Sequence, residues 1–164
     1  MSEQLQPLIL ALRDELQQYG ELLALLDQQQ ERVAARASDD VLQSVVAIQA
    51  QSRVIQQART SREECRIALA RALGQEASAS FATLLPLLPS DYRPLLQALV
   101  EENNSLLGRI QQRARQNHLL LTRMVDLFQQ LISAFLPARQ PKLYTEHGHM
   151  LRLPVVQPLY EAVG

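Results

Sequence analysis

Apolar side chains recur along the first part of the chain at Leu5, Ile9, Leu12, Leu16, Tyr19, Leu23, Leu26 and Val33, in alternating steps of four and three, with Gln30 the one polar member of the series. That spacing lines up one stripe of a helix and is the seam of a helical bundle or coiled coil. It predicts a first helix over about 4–36. Ser38, Asp39 and Asp40 then offer a side-chain cap and first-turn negative charge, which start a second helix over about 39–73. Gly74 ends it, as the residue type that takes the left-handed backbone past a helix C-terminus. The second helix is apolar at both ends but weak between Gln49 and Glu64. There only Val54, Ile55 and Ala58 are candidates for burial, so a thinly packed middle is expected.

Proline placement divides the rest, because a proline in a helix interior costs about 3 kcal/mol. None lies between Leu8 and Leu85 or between Leu95 and Leu136. The intervening Leu84-Leu85-Pro86-Leu87-Leu88-Pro89 breaks the chain, and a short helix over about 80–88 would set Phe81, Leu84 and Leu85 as a plug in a bundle end. Ser90 or Asp91 caps a long helix over 91–136, with Pro94 tolerated near its first turn. Tyr92, Leu96, Leu99, Asn103, Leu106, Ile110, Asn117, Leu121, Met124, Phe128, Leu131 and Phe135 carry the same seam along it. A helix of about 45 residues is about 65 to 70 Å long and needs partners along that length. The fold class is all-α, an elongated antiparallel three-helix bundle over 1–139 with a Pro-containing C-terminal tail over 140–164.

Composition narrows the function. Five Gly, no Trp and 4% aromatics, against 31 Leu and 21 Gln, suit helices and exclude a β-sandwich or barrel. Sixteen basic and 17 acidic residues leave a net charge of −1, so no global field draws nucleic acid or an anionic membrane. The single Cys65 excludes an internal disulfide, and no apolar run is long enough for a signal peptide or a transmembrane helix. A cytoplasmic protein without membrane insertion is expected.

Catalytic chemistry is equally sparse. The adjacent carboxylates Asp14-Glu15, Glu63-Glu64 and Glu101-Glu102 point about 100° apart on a helix and read as solvated faces. His147-Gly148-His149 lacks supporting ligands, and no metal or cofactor is expected. Arg59, Arg62 and Arg66 share a stripe, while Arg109, Arg113 and Arg115 cluster farther on. Without interleaved aromatics these read as solvated or salt-bridged faces and not as a nucleic-acid site. Arg62 and Arg66 would lower the Cys65 thiol, but no catalytic partner accompanies it, and a small helical hydrophobe is the default. The chain is not expected to be an enzyme.

Two features point to binding instead. Asn103 and Asn117 sit on the seam, where a buried amide either fixes register or lines a partner groove. The tail is apolar for a terminus, with Leu143, Tyr144, Met150, Leu151, Leu153, Val155, Val156, Leu159 and Tyr160, while Pro154 and Pro158 forbid a regular helix. Those side chains pack on the bundle, stay exposed or await a partner.

The pattern Leu-x-x-x-Asn-x-x-Leu-Leu at Leu99, Asn103, Leu106 and Leu107, and Pro-x-Leu-Tyr-x-x-x-Gly at Pro141, Leu143, Tyr144 and Gly148, resembles the FlgN family of flagellar type III export chaperones. Val100 stands where many members carry a second Asn. The resemblance implies a non-enzymatic, cytoplasmic chaperone for the terminal helical segments of hook-filament junction proteins. It further implies docking on the cytoplasmic domain of the flagellar export gate through Tyr144. Partner-binding residues on this reading are Asn103, Leu106, Leu107, Leu143, Tyr144, Leu151, Leu153, Val155 and Val156. The alternative is a structural coiled-coil or homo-oligomerising protein, suggested by the four heptads of the first helix.

Overall fold

The structure, a computed structural model, describes residues 2–135. The tail expected over 140–164 lies outside the described residues, together with Leu143, Tyr144, Leu151, Leu153, Val155 and Val156 and the His147 and His149 pair. Every regular element described is a helix: α1 (Ser2–Ala34), α2 (Ser38–Ala72), α3 (Phe81–Leu84), a 3-10 turn (Leu85–Leu87) and α4 (Arg93–Phe135). Residue contacts divide the chain after Asp126. The first unit holds α1 to α3 and α4 as far as Asp126. Of the second, which begins at Leu127, the last nine residues of α4 are described.

α1 and α2 are joined by a three-residue turn. Arg36 takes the left-handed region at φ 56°, which lets the Ala37 amide reach back to the Arg32 carbonyl at 3.1 Å. The N-cap of α2 is Ala37, which has no side-chain oxygen, so the expected Ser38 cap is not formed. Ser38 instead opens the helix, and Asp39 and Asp40 fall in its first turn, where their charge still complements the helix dipole. At the far end Gly74, at φ 69°, completes a Schellman turn. Gln75 N–H donates to Ala70 O at 2.9 Å, and Gly74 N–H donates to Arg71 O at 3.0 Å.

The connector between α2 and α4 is strapped down by cations. Arg66, buried on α2, donates to the carbonyls of Ala77 (2.7 Å) and Ala79, and its charge is balanced by Glu63. Ser80 caps α3 by accepting from Thr83 N–H at 3.3 Å, and Arg93 Nε donates to Leu88 O at 2.6 Å. Leu84 and Leu88 are thereby buried, with Phe81 and Leu85 packed alongside.

Polar pairs show how the first unit is threaded. Gln29 meets Ser44, Gln51 meets Gln18 and Arg62 meets Glu15, separations of 15, 33 and 47 residues that widen as an antiparallel pair requires. α4 instead returns parallel to α1, with Asn103 bonded to Leu12 and Asn117 to Leu26 at a constant offset of 91 residues. One core cluster joins Leu5, Leu8, Ile9 and Leu12 of α1 to Leu69, Leu88 and Leu96. A second joins Tyr19, Leu23 and Leu26 to Ile55, Leu106 and Ile110. Each such side chain contributes about 1.5–3 kcal/mol when taken fully out of water.

The middle of α2 is thin. Between Ser44 and Ile55 none of its side chains is buried, and Val54 faces solvent while Ile55 and Ala58 turn inward. On α4 the seam departs from expectation. Asn117 is the last buried residue, and Phe128, Leu131 and Phe135 are exposed.

Candidate functional site

The second unit, taken alone, presents the most conspicuous surface. Leu127, Phe128, Leu131, Ile132 and Phe135 are 46–80% exposed on nine residues of helix. Phe128, Leu131, Ile132 and Phe135 recur at i, i+3, i+4 and i+7 and share one face, with Leu127 at its margin. Gln129, Gln130 and Ser133 occupy the other side. Phe128, Leu131 and Phe135 belong to the seam expected along the chain, while Leu127 and Ile132 do not. The missed signal is length. α1 and α2 have 33 and 35 residues and α4 has 43, a difference already visible in the sequence.

Of the residues expected to bind a partner, the structure describes three. Asn103 and Leu106 are buried in the first unit, and Leu107 is half-buried against the second cluster. Asn103 Nδ2 donates to Leu12 O (3.0 Å) and to Leu99 O (2.9 Å), so this amide spends its protons inside the chain and not along an open groove. Asn117 Nδ2 repeats the bond at Leu26 O (2.7 Å) and adds Gln29 Oε1 (3.1 Å). In both residues Oδ1 is buried without a partner. An orphaned acceptor of this kind costs about 1–3 kcal/mol, a cost consistent with selection for register and not for stability.

Charged pairs join α1 to both of its neighbours. Glu15 is buried, contrary to its reading as a solvated carboxylate; it accepts from Tyr19 OH (2.9 Å) and pairs with Arg62 Nε (3.0 Å). Arg62 and Arg66 also pair with Glu63, whose carboxyl is held below its usual range by the Arg66 hydrogen bond. Arg113 of α4 pairs with Asp27 at 2.7 Å. Arg62, Arg66 and Arg113 are thus engaged in ion pairs. Cys65 packs against the first core cluster, and burial, with Glu64 nearby, pushes its thiol up where the neighbouring arginines had suggested a lowered value.

Burial, followed by the bond to Glu15, pushes the Tyr19 hydroxyl up to about 12. A folded value above the unfolded one of about 10 means that this contribution to stability is fully present below pH 10. It is lost as pH rises toward 12. Ultraviolet titration should therefore resolve a tyrosine ionising near pH 12, and Tyr19→Phe should abolish that step. A titration that Tyr19→Phe leaves unchanged would refute the assignment.

No helix among the described residues is long and apolar enough to cross a membrane. Neither a curated protein nor a solved structure matches the chain. A family model does: the one described as FlgN protein matches residues 1–152, nearly the whole length, and includes both motifs noted above. With an all-helical fold and an exposed apolar helix end beside that match, the chain belongs to the FlgN family of flagellar export chaperones.

Proposed function

We propose that this protein is a cytoplasmic chaperone, a three-helix bundle with a binding tail over 140–164, that holds the terminal helical segments of hook-filament junction proteins. It would keep them from assembling early and deliver them to the type III export gate. The observation that carries this reading is the exposed face of Phe128, Leu131, Ile132 and Phe135 in a member of a chaperone family. An amphipathic helix that is aggregation-prone as a monomer finds there the i, i+3, i+4, i+7 anchors that helix recognition uses. Leu107 and the tail residues Leu143, Leu151, Leu153, Val155 and Val156 would extend the contact. Asn103 and Leu106 would serve it from within, by fixing where α4 lies on α1. Tyr144, amphipathic through its ring and hydroxyl, would dock the loaded chaperone on the cytoplasmic domain of the gate.

The alternative, an oligomer zipped along α1, has less to build on. Leu5, Ile9, Leu12, Tyr19, Leu23 and Leu26 of that seam are already buried within the chain.

The test pairs two variants with a purified junction-protein terminal segment and the gate domain. Deleting 140–164 should leave helical circular dichroism intact while client or gate binding falls. Tyr144→Ala should retain client binding and lose gate docking and motility. Unchanged binding by the truncated chain would remove the tail from the mechanism, and unchanged docking by Tyr144→Ala would reduce that residue to packing.

A further inference from the structure

Where α4 runs beside residues 27–32 of α1, the hydrogen bonds and the ion pair between the two helices come from polar side chains, with the nearest buried apolar residues at Leu26, Val33 and Ile110. From Gln111 to His118 α4 carries no apolar side chain larger than Ala114, and the facing stretch of α1, Asp27 to Arg32, carries none at all. Asn117 donates to Leu26 O and Gln29 Oε1, Gln29 Nε2 donates to Ser44 Oγ at 3.2 Å, and Ser44 Oγ donates to Val41 O at 2.6 Å. This chain of bonds passes from α4 through α1 to α2. All three residues are at least 96% buried, and Arg113 flanks them with an ion pair to Asp27 and a hydrogen bond to Gln30. Asn103 is set differently, with buried Leu96 before it and Leu106 after it, whereas no buried residue of α4 follows Asn117.

We propose that the Asn117–Gln29–Ser44 layer is a latch, at which α4 from Gln111 to Asp126 opens from α1 and α2 while the part up to Ile110 stays packed. Leucine layers resist such opening because each would put apolar surface into water. A polar layer exchanges its partners for water at little net cost, and the apolar residues of α4 that open with it, Leu120, Leu121 and Met124, are only half-buried to begin with. α4 need not unfold, because its own backbone bonds are internal to the helix. The latch stands on these contacts alone and does not require the chaperone reading.

Native-state thiol labelling tests it on the full chain, with Cys65→Ser as background and no client present. Ser44→Cys places a thiol in the layer, where Ser44 is 1% exposed, and Ala70→Cys places one in the first core region, where Ala70 is 0% exposed. Local opening should label Cys at 44 about 100-fold faster than Cys at 70, with little dependence on denaturant at low concentration. Closing the layer with Gln29→Leu and Asn117→Leu together should slow the fast site about tenfold. Val41→Cys and Ala58→Cys replace the two reporters if either fails to fold. Equal rates at both sites, or a fast site indifferent to the leucine pair, would overturn the latch.

Discussion

Phe128→Asp combined with Leu131→Asp will cost the protein its client while sparing its helices. Both side chains are about half exposed, so neither substitution opens a cavity, and stability should stay within about 0.5 kcal/mol per site. Binding should respond quite differently. Buried aromatic and aliphatic anchors at the centre of an interface are each worth about 2 kcal/mol or more, and an uncompensated carboxylate in their place adds a desolvation penalty. Together the pair should weaken capture of a junction-protein helix by at least about 100-fold, as read by calorimetry against an unchanged far-ultraviolet spectrum. Gln129→Asp with Gln130→Asp, on the opposite side of the same two turns, controls for charge alone. If the control pair weakened binding equally, the apolar face would not be the recognition surface.

Leu69→Ala should produce the largest loss of stability. Leu69 is fully buried where α1, α2, the connector and α4 share one cluster, with Leu5, Leu8, Leu88 and Leu96 about it. Helices fixed on several sides relax little into a void, so the cost belongs in the upper part of the range for such truncations, about 3–5 kcal/mol. At about 2–4 °C per kcal/mol for a chain of this size, thermal unfolding should come roughly 10 °C earlier. Leu42→Ala, on the solvent face of α2 at 67% exposed, should shift it by no more than a degree or two. Equal shifts at the two positions would mean that the first cluster is not the centre of stability.

How far the sequence could be read depended on whether a position's chemistry agreed with its place. The leucines of α1 and α4 announce a stripe because apolar side chains at a period near 3.6 have few other uses. The long helices run Ser2–Ala34, Ser38–Ala72 and Arg93–Phe135 beside the expected 4–36, 39–73 and 91–136, while the short helix expected over 80–88 is four residues of helix, Phe81–Leu84, followed by a 3-10 turn. Glu15 and Gln29 were invisible as interior positions, because nothing in their own side chains tells of Tyr19, Arg62 or Ser44 coming to satisfy them. Asn103 and Asn117 were noticed as exceptions on the seam, but their roles depended on which carbonyl each would meet, a fact held by another helix 91 residues away. Ala37 replaced Ser38 at the cap because the tight turn through Arg36 brings α2 into register one residue earlier. The seam of α4 continues through Phe128, Leu131 and Phe135, which are exposed, because a stripe says that a face is apolar, not that anything covers it.

The paired asparagines have a consequence for how such a protein can change length in evolution. Their bonds to α1 recur after fourteen residues on both helices, about 21 Å of axis, so they act as graduations on a common ruler. Removing the same number of residues, close to whole turns, from α1 and α4 between the marks would keep both bonds, whereas a cut in one helix alone would leave an amide facing the wrong carbonyl. Shorter or longer descendants are thereby confined to whole, matched steps, with α2 obliged to follow.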